Sequence, residues 1–136
     1  LIRPCQSPPP ADDYADGTWT EWKDTSRLQQ SPYLQEVVDF FKQNTRVTLV
    51  RILRLAPGAE VQEHTDPTLG LRIERSVIRP TIPVFINDKV TFHLNGKPLG
   101  MQQGECWYLN LTDPHWITNE SSEERINITI DMEPNA

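Results

Sequence analysis

At 136 residues the chain is long enough to bury one sizeable core and short for two domains. Its net charge of −6, with no run of Lys or Arg, argues against a nucleic-acid partner, and no apolar stretch approaches the ~20 residues of a membrane span. An apolar fraction of 37% with 12 prolines points to a folded, mainly β chain of short strands and turns rather than long helices.

Residues 1–17 carry a Pro-Pro-Pro run and several aspartates, and are expected to form a Pro-rich arm or linker without a core of its own. The single domain is expected over 18–136. Trp19 and Trp22 then anchor the chain, either by packing against the sheets or as part of a substrate lid. Ser31-Pro32 opens a helix over about 32–43, with Leu34, Val37, Val38 and Phe41 forming one apolar stripe against the outer face of a sheet.

Arg46 to Leu55 is rich in β-branched residues and reads as a central strand, ended by Pro57-Gly58. Strict alternation then puts Glu60, Gln62 and His64 on one face with Val61 opposite. Arg72 and Arg75 lie in the loop between Asp66 and Arg79, as solvated surface charge or as a clamp on a substrate carboxylate. Asn95-Gly96 marks a hairpin turn, with His93 beside it as a surface residue. Trp107 and Trp116 are expected in the core. From Arg125 onward the period is two: Ile126, Ile128, Ile130 and Met132 share one face, and Arg125, Asn127, Thr129 and Asp131 the other. The polar face is expected to look inward, into a wet pocket.

His64 and Asp66 flank a single residue, so on extended chain their side chains project together. An imidazole and a carboxylate so placed can take neighbouring positions on a metal, and His115 can supply a third. Two histidines and one carboxylate form the facial triad of non-haem Fe(II) oxygenases, which leaves positions open for co-substrate and oxygen. Alone, the H-x-D triplet is also compatible with a capped or surface histidine in a loop. Arg125 adds an always-charged planar fork, the group that holds an anionic dicarboxylate in two-pronged fashion.

The segments RILRLAPGAEVQEHTD (51–66), RPTIPV (79–84), VTFHLNG (90–96), GECWYLNLTDPHWITN (104–119) and RINITID (125–131) resemble, in order, the aspartyl/asparaginyl β-hydroxylase family. The resemblance implies a double-stranded β-helix, or jelly roll, with one or two flanking helices. It also implies an Fe(II)- and 2-oxoglutarate-dependent dioxygenase that uses O2 to hydroxylate a C–H bond of an amino acid or of an aspartyl or asparaginyl side chain. Carried over residue by residue, His64, Asp66 and His115 match the iron ligands, and Arg125 the partner of the distal 2-oxoglutarate carboxylate. Arg79 matches an Arg that often precedes a His in a co-substrate-binding R-x-H-I-P motif, where this chain has Thr81 instead. Asp66 aligns the chain with a bacterial-type branch that includes free-proline hydroxylases.

The rival reading is a jelly-roll binding module without turnover; a non-oxidative metalloenzyme on the same frame is more distant. The expected partner is a small molecule or peptide bearing a carboxylate. Cys5 and Cys106 are expected as free thiols, which favours a reducing cytoplasm. The sequence opens on Leu1 rather than Met, so a native N-terminal segment is expected to precede it. Three Asn-x-Ser/Thr triplets, at Asn110, Asn119 and Asn127, lie in or beside the expected site strands and are read as coincidental.

Overall fold

A computed structural model describes residues 2–4, 22–71 and 77–134. The chain runs β1 (Ile2–Pro4), β2 (Trp22–Asp24), α1 (Ser26–Gln29), α2 (Pro32–Lys42), β3 (Val47–Leu55) and β4 (Glu60–His64). It continues with β5 (Pro80–Phe85), β6 (Val90–Leu94), β7 (Lys97–Leu99), β8 (Trp107–Tyr108), β9 (His115–Asn119) and β10 (Arg125–Met132). The strands form two antiparallel sheets, one ordered β2-β1-β3-β10-β5-β8 and the other β4-β9-β6-β7. The fold is thus mainly β, a jelly-roll arrangement with two helices. No helix of the described residues is long and apolar enough to cross a membrane. The Ile2–Pro4 stretch of the expected arm pairs with β2 and touches β3 through Ile2 and Val50. The rest of the arm, including Cys5, lies outside the described residues, as does Trp19.

Two apolar clusters flank the large sheet. On its outer face, Ile128, Ile130 and Met132 of β10 and Val50 of β3 pack under Leu28 of α1 and Val38 of α2. Leu34, Val37 and Phe41 extend that contact, so the apolar stripe of α2 does what its spacing implies. Between the sheets lie Leu69, Phe92, Met101, Leu109 and Leu111, with Trp107 and Ile117 against them. Because the apolar side of β10 is spent on the helices, its polar side must face the second sheet. Arg125, Asn127, Thr129 and Asp131 are all buried there.

The β6–β7 hairpin turns on Asn95 and Gly96, both with positive φ (51° and 74°), as a two-residue turn between twisted strands requires. Trp116 departs from its expected place in the core. It stacks on His93 with ring centroids 4.4 Å apart and is half-buried. The residues before and after it, His115 and Ile117, occupy the inner face of β9, which leaves Trp116 the outer one.

Asn119 is a structural residue whose role the sequence pattern did not indicate. Its side-chain nitrogen donates to the carbonyls of Leu55, Ala56 and Glu123 at 3.3, 3.0 and 2.8 Å, and its oxygen accepts from the Ser121 backbone N–H and hydroxyl. It ties the β3–β4 turn to the β9–β10 turn, and so holds the start of β10, where Arg125 stands. Asn119→Ala would orphan buried carbonyls and is expected to cost roughly 2–4 kcal/mol. A urea midpoint equal to the parent's would refute this role.

Candidate metal centre and anion pocket

In β4, Val61 opposes Ile117 of β9, yet His64 opposes His115: three residues on one strand span two on the other. This is a β-bulge, which re-aims the side chains that follow it. It turns His64 onto the same inner face as Val61, against the strict alternation that would separate them. Gln62 and Glu63 are the residues accommodated in the bulge, and both are exposed. Asp66 lies just beyond β4. Its backbone N–H donates to the Leu111 carbonyl at 2.9 Å, which links its loop to the loop that leads into His115. Gly70 lets these loops meet closely, since a Cβ there would fall 2.7 Å from Thr112 Cγ2.

One ligand atom from each of His64, Asp66 and His115 lies within 4.8 Å of the others. The two imidazole centroids are 4.3 Å apart, and His115 Nε2 is 3.7 Å from Asp66 Oδ2. Ligands about 2.1 Å from a common ion sit roughly 3–4 Å apart, so the donors are placed for one metal to bridge them. His64 Nδ1 lies 2.7 Å from the Gln62 carbonyl oxygen, and His115 Nδ1 2.9 Å from that of Asp113. A carbonyl can only accept, so each Nδ1 of the neutral ring carries the proton and each Nε2 offers its lone pair. Such outer hydrogen bonds fix the orientation of metal-ligating histidines. His115 is further held by stacking on Phe92, with centroids 5.9 Å apart and planes 4° from parallel. The centre grades from exposed His64 to buried His115, so it opens to solvent on one side.

Arg125 is 3% exposed, and no carboxylate of the described residues pairs with it. Burial alone pushes its pKa down to about 10, still well above neutrality, so the side chain remains a cation without a counter-ion. Its Nη1 donates to Asn127 Oδ1 at 2.5 Å, while Nε is buried without a partner among the described residues. Because Arg only donates, Asn127 must turn its oxygen to Arg125 and its NH2 to Thr81, whose Oγ1 accepts at 2.9 Å. The hydroxyl proton of Thr81 therefore remains free to donate.

Arg79 belongs to the metal side of the pocket. Its Nε and Nη2 donate to the two oxygens of Asp131 at 2.6 and 2.7 Å, and its Nη1 lies 3.8 Å from Asp66 Oδ2. With its fork occupied by Asp131, it braces the Asp66 carboxylate instead of presenting a free fork beside Arg125. Arg79 thus ties the cluster to Asp131 near the end of β10, and Arg125 stands at the start of the same strand's buried polar face. Arg72 and Arg75 lie outside the described residues. His93 stands on the outer face of the small sheet, away from the centre. Cys106 is a free, exposed thiol.

A solved protein described as a predicted oxalate decarboxylase from Thermotoga maritima is similar to this chain, with 17% identity over 71% of this chain and 74% of that one and a TM-score of 0.49. A salicylate 1,2-dioxygenase from Pseudaminobacter salicylatoxidans matches at 18% identity over 60% of this chain and 21% of its own, with a TM-score of 0.48. A double-stranded β-helix protein from Klebsiella pneumoniae matches at 18% identity over 68% and 77%, with a TM-score of 0.47. Likeness at this level says nothing of chemistry. The match to the family model for aspartyl/asparaginyl beta-hydroxylases is of another kind, for it runs over residues 14–134 and takes in every strand from β2 to β10. The chain belongs to the aspartyl/asparaginyl β-hydroxylase family, a membership that suggests an oxygenase-type hydroxylase on a jelly-roll frame.

Proposed function

We propose that the protein is an Fe(II)- and 2-oxoglutarate-dependent dioxygenase that hydroxylates a C–H bond of a carboxylate-bearing substrate, an amino acid or an aspartyl or asparaginyl side chain. The observation that carries this reading is Arg125: a buried cation with no carboxylate partner among the described residues, on the polar face of β10 that looks toward the sheet holding both histidines of the His-Asp-His cluster. An uncompensated buried charge is costly unless a ligand completes it. A dicarboxylate that reaches from the cluster to Arg125 would do so, and the donor set itself suits a non-haem iron site with open positions.

In this reading His64 and His115 present Nε2, and Asp66 an oxygen, to Fe(II). The metal with 2-oxoglutarate supplies oxidative decarboxylation: O2, 2-oxoglutarate and R–H become R–OH, succinate and CO2. The protein's own part is positional. Arg79 keeps Asp66 turned toward the histidines, and the Gln62 and Asp113 carbonyls keep both rings in one tautomer. Arg125, oriented by Asn127, receives the distal carboxylate. Thr81 stands where relatives carry a histidine, and its hydroxyl oxygen holds the Asn127 amide that orients Arg125.

The test is metal-dependent succinate release. With Fe(II), 2-oxoglutarate, O2 and ascorbate, which in place of substrate supplies the two electrons that release the second oxygen atom as water, slow substrate-independent succinate formation is expected, abolished by a chelator. A 2-oxoglutarate-induced thermal shift without any succinate would favour a binding module. Neither shift nor succinate under any metal would refute both readings.

A further inference from the structure

The inner wall of the large sheet holds a second set of anion donors that Arg125 and the metal cluster leave unused. Thr129 of β10 lies opposite Arg51 of β3 on one side and Thr81 of β5 on the other. Directly opposed residues of antiparallel strands share a face, so these three form one rung across the sheet. Arg51 Nε and Thr129 Oγ1 are both buried with no hydrogen-bond partner among the described residues. The Arg51 guanidinium comes no nearer than 3.9 Å to Asp131 Oδ2, and that carboxylate is already held two-pronged by Arg79. The Thr81 hydroxyl accepts from Asn127 and can still donate. One rung therefore offers a guanidinium N–H and two hydroxyls whose donor capacity the described residues leave unused.

Charge points the same way. Among the described residues, three guanidiniums, those of Arg51, Arg79 and Arg125, accompany two carboxylates, Asp66 and Asp131, along and beside the polar face of β10. A divalent ion with a dianionic co-substrate leaves that balance unchanged, with one positive charge in surplus. A single carboxylate neutralises it. Exposure assigns the two anions: the Arg51 side chain is 38% exposed and reachable from solvent, whereas Arg125 is sealed. The deep site suits the ligand that binds first, and the shallower one the ligand that follows.

We propose that the Arg51–Thr129–Thr81 rung is the subsite for the substrate carboxylate, distinct from the Arg125 site for 2-oxoglutarate. The proposal rests on the dioxygenase reading, and it supplies a clamp from described residues. A guanidinium fork with flanking hydroxyls fixes the orientation of a small substrate, and orientation selects the C–H bond that reacts.

The experiment compares binding of free L-amino acids and of N-acetyl-aspartate amide with that of their carboxamide counterparts. Calorimetry is run on the apoprotein and on protein loaded with Mn(II) and 2-oxoglutarate. The parent is expected to prefer at least one acid over its amide by about tenfold or more. Arg51→Met, which keeps the apolar stem, should reduce that preference to less than about threefold while Mn(II) and 2-oxoglutarate affinities stay within about twofold. Arg51→Lys and the near-isosteric Thr129→Val should each weaken the preferred acid by a smaller factor. Equal binding of acids and amides by the parent, or an acid preference that survives in Arg51→Met, would overturn the subsite. Loss of Mn(II) and 2-oxoglutarate binding in the parent itself would instead remove the dioxygenase reading, with the apoprotein comparison still deciding the rung.

Discussion

His115→Ala is expected to weaken metal binding by more than about 100-fold and to abolish succinate formation. Losing only an outer partner of a ligand typically costs 10–100-fold, and His115 is placed as a ligand itself. Its Nε2 stands 3.7 Å from Asp66 Oδ2, and its ring is 4.3 Å from that of His64, so no other described side chain can take its position in the cluster. The ring is also pinned on both sides, by Phe92 and by the Asp113 carbonyl, so the geometry exists before any ion arrives. Mn(II) titration by calorimetry reads the effect without turnover, and circular dichroism checks that the variant folds. A folded His115→Ala protein with the parent's Mn(II) affinity would falsify the centre.

For Arg125 the expected signature is a pair of effects of opposite sign. Truncating one partner of a buried, hydrogen-bonded charge pair costs about 2–5 kcal/mol, so the Michaelis constant for 2-oxoglutarate should rise roughly 30-fold or more in Arg125→Ala. Arg125→Lys should also raise it, since a point charge cannot replace the planar fork. Stability without 2-oxoglutarate should move the other way. In Arg125→Met the uncompensated cation is gone and the apolar stem is kept, so the ligand-free protein should unfold at higher urea than the parent. Added 2-oxoglutarate should then stabilise the parent by mass action and leave the variant unmoved. If 2-oxoglutarate protects parent and variant equally, Arg125 is not its anchor, whatever the turnover.

The parts of the fold that depend on neighbouring residues along the chain were legible in advance. Ser31-Pro32 and an i, i+3, i+4, i+7 stripe place α2, and Asn95-Gly96 places a hairpin, because a proline in the first helical turn and positive φ are properties of a few consecutive residues. The alternation from Arg125 to Met132 likewise separates an apolar from a polar face without reference to anything distant. His64, Asp66 and His115 could be singled out as donors because the H-x-D spacing and the family motifs lie in the primary sequence.

What the sequence alone did not determine depends on pairing between strands far apart in it. The bulge between Val61 and His64 exists only against β9, and it shifts the face of His64 by one residue relative to simple alternation. Whether the polar face of β10 meets solvent or a pocket is decided by the helices that claim its apolar face. The fork of Arg79, expected at the co-substrate, closes on Asp131, because β10 brings that carboxylate within 2.6 Å. Asn119 resembled a glycosylation triplet until two distant carbonyls, of Leu55 and Ala56, and the nearby one of Glu123 were folded around its amide. By its composition and local periodicity the sequence determined a mainly β chain with its donors in recognisable places. The tertiary structure decided which donors face one another, because a buried charge or hydrogen bond takes its partner from whichever strand the sheets bring alongside.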